Sequence, residues 1–210
     1  MRDPAVDKRS SRARPFPLPD GTTQRRKLEP LELARWIETR AERLADRWLL
    51  DVRARHPRWD GDLEGLLSRF FNLLTTMLPA TLGPFREEVE PLWVQASQLF
   101  GSVAAHRGLA VGEAVEEFQV FREVFIRALY AEPPAAGQYP IPLRELLRLN
   151  RIIDLGVTHA GVGHADGLFF ALFQGSGVAE HMDAELTEEV NAQLGTIRDE
   201  FRAISGRAGG

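Results

Sequence analysis

The stretch DLGVTHAGVGHADG, Asp154 to Gly167, holds two histidines, two aspartates and four glycines in fourteen residues. A metal site, a phosphate loop and a helix with small side chains on one face all use such residues, and spacing separates the three. As a phosphate loop, GVGHADG reads Gly-x-Gly-x-x-x-Gly, one residue longer than the dinucleotide fingerprint. That fingerprint also follows a strand, whereas a helical run of leucines and isoleucines precedes this one. As a metal site, His159 and His164 are five residues apart, about 140° around a helix axis. They face one ion only if the helix breaks between them, where Gly161 and Gly163 stand; a same-face pair is spaced three or four apart. As a packing surface, Gly156, Ala160, Gly163, Gly167 and Ala171 step by four, three, four and four, and they extend the seam of Leu149 and Ile152. Small residues at that spacing let two helix backbones approach closely. Each glycine costs roughly 1 kcal/mol in a helix interior, a cost that close contact with a neighbouring helix would offset. The spacing favours packing, and predicts that Gly163→Leu destabilises strongly while His164→Ala is mild. His159 and His164 then flank the stripe as candidate pocket or pH-sensing residues.

Working outward, the apolar residues recur with helical period almost everywhere. Leu31, Ala34, Ile37, Ala41, Leu44 and Trp48 predict one helix ending near Arg55, before Pro57. Leu63 to Leu78 predicts a second, punctuated by Pro79, Gly83 and Pro84. A third spans Phe85 to His106, with a kink or break expected at Pro91, and a fourth carries Val111, Ala114, Val115, Phe118, Phe121, Phe125 and Leu129. Ala131 to Pro142 reads as a loop. A fifth helix starts at Pro142 or Leu143 and runs into the opening stretch. After Gly175–Gly177, the series Leu186, Val190, Leu194, Ile197, Phe201 and Ile204 is a short heptad-like seam. No segment alternates with period two over five residues. The fold class expected is all-α: an antiparallel bundle of about five helices plus a C-terminal coiled-coil-like helix, with a globin-like arrangement as the alternative.

Composition narrows the chemistry. The 210 residues include no cysteine, which removes disulfides, thiolate zinc sites and a thiol nucleophile. Lys8 and Lys27 are the sole lysines, so from Leu28 onward there is no P-loop, Schiff-base or kinase lysine. The net charge of −4 divides into +5 over residues 1–27 and −9 over the rest. That reads as a solvated, disordered basic leader with Pro15, Pro17 and Pro19 in extended form. The acidic body argues against a nucleic-acid partner. No apolar run approaches the roughly 20 residues that span a bilayer, and the N-terminus has no signal-peptide character, so no membrane partner and a cytoplasmic location are expected.

Among the remaining residues, His56 and His181 sit at element edges and read as exposed. His106, in VAAHRG at a helix end followed by a new helix, resembles the proximal region of a globin, where haem needs a neutral imidazole in an apolar pocket; the alternative is an exposed or C-capping residue. Glu87, Glu88 and Glu90, and Glu116 with Glu117, read as solvated helix faces. Arg122, one turn past Phe118, is expected to bury its stem and pair its head, with a glutamate as one candidate. No Ser/His/Asp constellation assembles.

With the helices placed, LARWIETRAERLADRWLLDVR, HRGLAVGEAVEEFQVFREVFIRAL and LLRLNRIIDLGVTHA together resemble the N-terminal domain of RsbRD-type RsbT co-antagonists. The similarity covers about Leu28 to Phe173, and Gly108, Glu117, Phe118 and Arg122 are its most specific part. It implies a helical sensory or regulatory module of bacterial stress signalling, also found ahead of sensor histidine kinases, with no catalysis and no cofactor of its own. The family lies near globin-like stressosome sensors, which keeps a haem- or ligand-binding sensor as the alternative. RDEFRAIS, Arg198 to Ser205, resembles the lead-in to a histidine-kinase phosphoacceptor helix, but the histidine is not there. The organisation expected is therefore a leader at 1–27, a sensory domain at 28–175 and a signalling or dimerisation helix at 178–205. Its partners would be a second copy of the chain and a histidine kinase or stressosome-type protein. A metal-dependent helical enzyme using His159 or His164 is the rival reading.

Overall fold

A computed structural model describes residues 30–56, 61–134, 142–173 and 184–207. The basic leader, Gly175–Gly177 and His181 lie outside the described residues. Seven α-helices account for nearly all of the described chain, with no strand among those residues: α1 (Pro30–Glu38), α2 (Ala41–Arg53), α3 (Gly61–Leu82), α4 (Arg86–His106), α5 (Val111–Ala131), α6 (Leu143–Phe173) and α7 (Ala184–Arg207). The fold is all-α, and no helix among these residues is long and apolar enough to cross a membrane.

The first expected helix is two. Its stripe continues across the junction, but the backbone tightens there: the Arg40 N–H bonds the Ile37 carbonyl at 2.9 Å, and the Thr39 hydroxyl donates to the Trp36 carbonyl at 3.1 Å. A β-branched residue whose hydroxyl competes for backbone carbonyls is a poor helix interior. The break lets Trp36 reach α5, where its indole N–H donates to the Glu132 carbonyl at 2.7 Å. The Arg43 and Arg40 guanidiniums close on the Glu132 carboxylate at 2.8 and 3.2 Å and hold that carboxyl below its usual range.

Two prolines expected to end or break helices lie inside continuous ones. α3 runs past Pro79 to Leu82, and α4 runs through Pro91. An interior proline costs about 3 kcal/mol, and burial on both sides outweighs it. Met77, Leu78, Thr81 and Leu82 flank Pro79, and Val89, Leu92 and Trp93 flank Pro91, all buried. Past the C-terminus of α3, Gly83 and Pro84 stop the helix, and Arg148 of α6 donates to the Leu82 carbonyl at 2.9 Å.

The core is aromatic and continuous through all seven helices. Trp48 of α2 stacks on Phe71 of α3 at 3.7 Å between centroids, and Phe121 of α5 lies 4.2 Å from it. Phe100 of α4 meets Phe118 of α5 edge-on at 5.1 Å, a geometry that aromatic quadrupoles favour. Buried tryptophans need a partner for their N–H: Trp48 donates to the Glu117 carbonyl at 2.8 Å and Trp93 to the Ile152 carbonyl at 3.1 Å. The heptad-like seam of α7 is part of this core. Val190, Leu194, Ile197 and Phe201 are buried, and α7 packs on α3 and α4. The seam that suggested a second copy is therefore covered within the chain.

Candidate functional site

The opening stretch lies on α6, pressed against α4. Trp93 and Ser97 of α4 lie against Gly156 of α6, and Ser102 and Ala105 lie against Gly167, so the two helices run in the same direction. A Cβ added at Gly163 would overlap the Gln98 carbonyl and stand 2.7 Å from the Gln98 Cα. Reciprocally, a Cβ on Gly101 would overlap the Ala160 carbonyl and stand 2.9 Å from the Ala160 Cα. Below this crossing, a Cβ on Gly156 would come 2.8 Å from a ring carbon of Phe118; above it, one on Gly167 would come 3.2 Å from the Ser102 Cα. Gly156, Ala160, Gly163 and Gly167 thus share the α4-facing side. Gly161, two residues from Gly163, faces open space. Gly101 was not singled out in the sequence, although Ser97, Gly101 and Ala105 repeat every four residues as a matching stripe. Ser97 is buried, its hydroxyl satisfied by the Trp93 carbonyl at 2.8 Å.

The histidines find separate partners. His164 is 3% exposed, and its Nε2 donates to the Leu109 carbonyl at 2.7 Å. His159 is half-buried, with Nδ1 3.4 Å from the Gln98 side-chain nitrogen. His106, the residue a haem-binding reading would use, donates from Nδ1 to the Ser102 carbonyl of its own helix at 2.8 Å. Among the described residues no group of three or more His, Asp or Glu stands where it would hold a metal ion. Because His164 is buried and bonded, its truncation is expected to be costly rather than mild. We expect His164→Ala to cost about 1–3 kcal/mol, from the loss of a buried side chain and of the donor to the half-buried Leu109 carbonyl. Urea unfolding measures this, and a loss below about 0.5 kcal/mol, the usual range for surface substitutions, would show the bond to be dispensable.

Leu109 belongs to the turn joining α4 to α5, and that turn is built tightly. Gly108 takes φ +73°, a left-handed conformation that favours glycine. Its N–H bonds the Ala105 carbonyl at 2.9 Å, while Leu109 N–H bonds the Ala104 carbonyl at 3.1 Å, the paired bonds of a Schellman ending. The Glu113 carboxylate then accepts from the Ala110 N–H at 2.7 Å and starts α5.

Beside the turn is a buried ion pair. Arg107 and Glu117 are 5% and 1% exposed, joined by bonds of 2.7 and 2.9 Å, with His56 Nε2 3.5 Å from the same carboxylate. Two sequence expectations fail here. Glu117 is not on a solvated face: it falls three residues after Ala114 and beside Phe118 on the buried stripe, and is tolerated there because Arg107 neutralises it. His56 is half-buried against it rather than exposed. Arg122, the other charged residue of that pattern, pairs with Asp154 of the opening stretch rather than with a glutamate. Its Nε is buried without a partner, as is Asn150 Oδ1 one turn before Asp154.

These contacts tie α2, α4, α5 and α6 together at one corner and along one crossing, an arrangement suited to transmitting displacement between helices. Compared with protein-family models, with curated proteins and with solved structures, the chain has no significant match.

Proposed function

We propose that the protein is a non-enzymatic sensory or regulatory domain of bacterial stress or two-component signalling, acting in the cytoplasm through protein–protein contacts. One observation carries the reading. The four residues on which the resemblance to RsbRD-type N-terminal domains chiefly rests all sit at inter-helix joints. Gly108 forms the α4–α5 turn, Glu117 the buried pair with Arg107, Phe118 the contact beneath Gly156, and Arg122 the link to Asp154. A pattern spent on joints fits a domain whose output is a change in helix packing. α6 and α7 both lie on α4, so a shift along the glycine crossing alters the seat of α7, the helix that faces the output partner.

The reading includes a homodimer. With the α7 seam buried, an apolar surface that could take a second copy, among the described residues, is the end of α6, where Phe169, Phe170, Leu172 and Phe173 are 63%, 62%, 71% and 82% exposed. Sedimentation velocity tests both parts. The chain alone at high micromolar concentration should sediment as a dimer, and mixed with a histidine kinase or stressosome-type protein of the same genome should form a heavier species. A monomer that sediments unchanged in the mixture sinks the reading.

A further inference from the structure

Between α3 and α7 lies a cleft of about 340 Å³ lined by Arg69 and Leu73 on one side and Asn191, Leu194, Gly195 and Arg198 on the other. The four α7 residues are spaced three, one and three apart, so they share one helix face. Leu73 and Leu194 are buried and form its apolar floor. Gly195 sits mid-helix, where glycine costs about 1 kcal/mol relative to alanine. No packing demand explains it, because a Cβ there would meet nothing within 4 Å. Its effect is to keep that wall open.

The polar groups are unbalanced in one direction. Arg69 makes no ion pair among the described residues, and Arg198 has only the adjacent, 69% exposed Asp199 at 4.0 Å. Two guanidiniums, both reachable from solvent, therefore line one cleft with no carboxylate among its walls, and an oxyanion is the group they are built to bind. The third group is of the opposite kind. Asn191 Oδ1 is buried and accepts no hydrogen bond, and such an atom calls for a donor. An anion that also carries an O–H satisfies all three.

We infer that this cleft binds a small phosphomonoester and thereby ties α7 to α3. A phosphate monoester with its second ionisation near pH 6 presents oxygens to Arg69 and Arg198 and, when singly protonated, a P–O–H to Asn191. Leu73 and Leu194 take a short stem beyond it. Sulfate has the charge without the proton. A ligand that binds only the docked arrangement of α7 stabilises that arrangement by mass action. The consequence for signalling rests on the reading of α7 as the output helix; the site itself does not.

The test is calorimetric titration of the full chain with inorganic phosphate, glycerol phosphate and sulfate at matched ionic strength, with amide exchange of α7 followed in parallel. Glycerol phosphate should bind, inorganic phosphate more weakly for lack of the stem, and sulfate weaker still. Arg69→Ala and Arg198→Ala should each weaken glycerol phosphate binding roughly tenfold or more. Arg127→Ala, on exposed α5 surface, should leave it unchanged. Exchange across Asn191–Arg202 should slow on binding in the wild type and not in either arginine variant. The inference is overturned by no binding heat, by affinity indifferent to both arginines, by sulfate binding as tightly as the phosphomonoester, or by binding that leaves α7 exchange untouched. These readouts are independent of whether a protein partner is found.

Discussion

Gly163→Ala lowers the unfolding free energy by about 2 kcal/mol and Gly163→Leu by about 3 kcal/mol or more, the upper part of the range for overpacking a dense interior. The reason is that the obstacle is backbone. A Cβ at this position would overlap the carbonyl of Gln98 and crowd its Cα. A main-chain carbonyl in mid-helix cannot turn aside as a side chain would, so α4 and α6 must separate along the whole crossing. Separation loosens the reciprocal contact of Gly101 on Ala160 and the fit of Gly167 on Ser102, so one methyl group is felt over about three turns. Gly161 supplies the internal control. It stands on the same helix two residues away with open space where its Cβ would be. There, glycine-to-alanine gains helix propensity and reduces unfolded-chain entropy, so Gly161→Ala should stabilise by about 0.5–1 kcal/mol. Urea titration of the two variants should thus give shifts of opposite sign. Equal stability of Gly163→Ala and wild type would mean that the crossing is not close-packed in solution.

The difference between these glycines shows what the sequence made legible. Step arithmetic alone puts Gly163 on the stripe with Gly156, Ala160 and Gly167 and leaves Gly161 off it, because helical period is a local property. The same property outlines α3 to α7 from their apolar repeats. The facing partner was harder to read. Gly101 is a lone glycine in a helix whose other small residues, Ser97 and Ala105, carry no special signal until α6 is laid against them. Non-local choices also account for the misread boundaries. The apolar stripe from Leu31 to Trp48 passes without a gap through Thr39 and Arg40, and the break there depends on Trp36 having the Glu132 carbonyl to reach. Pro79 looks like a stop, and Pro91 like a kink or a break, until the burial of their neighbours is known; both helices continue unbroken. His164 looked like a flanking residue because its acceptor, the Leu109 carbonyl, lies fifty-five residues earlier in the chain. Glu117 is the sharpest case: in sequence it is half of an ordinary Glu-Glu pair, and only the Gly108 turn, by folding α5 back on α4, brings Arg107 to it.

Glu117→Ala should therefore cost about 3–5 kcal/mol, the usual consequence of stranding one member of a buried ion pair. The Arg107 guanidinium, 5% exposed, would keep its charge and lose the carboxylate that accepts its bonds of 2.7 and 2.9 Å. Arg107→Ala should cost a comparable amount for the converse reason. The pair itself is worth much less than either number. Both ions are desolvated on folding, so the double replacement Arg107→Met with Glu117→Leu should restore most of the lost stability. The coupling in that cycle should reach a few kcal/mol, at or above the upper end of what contacting residues show. Trp48 sharpens the interpretation, because its indole donates to the Glu117 backbone carbonyl rather than to the carboxylate. Side-chain exchange leaves that bond intact, and the loss belongs to the charge. The turn adds a further consequence. Arg107, Gly108 and Leu109 are consecutive, so the guanidinium held by Glu117 also steadies the carbonyl that His164 donates to. Glu117→Ala and His164→Ala should accordingly be less than additive, since the first already loosens the acceptor that the second abandons. Strict additivity in urea unfolding would separate the ion pair from the α6 anchor and remove the corner as a mechanical link between α5 and α6.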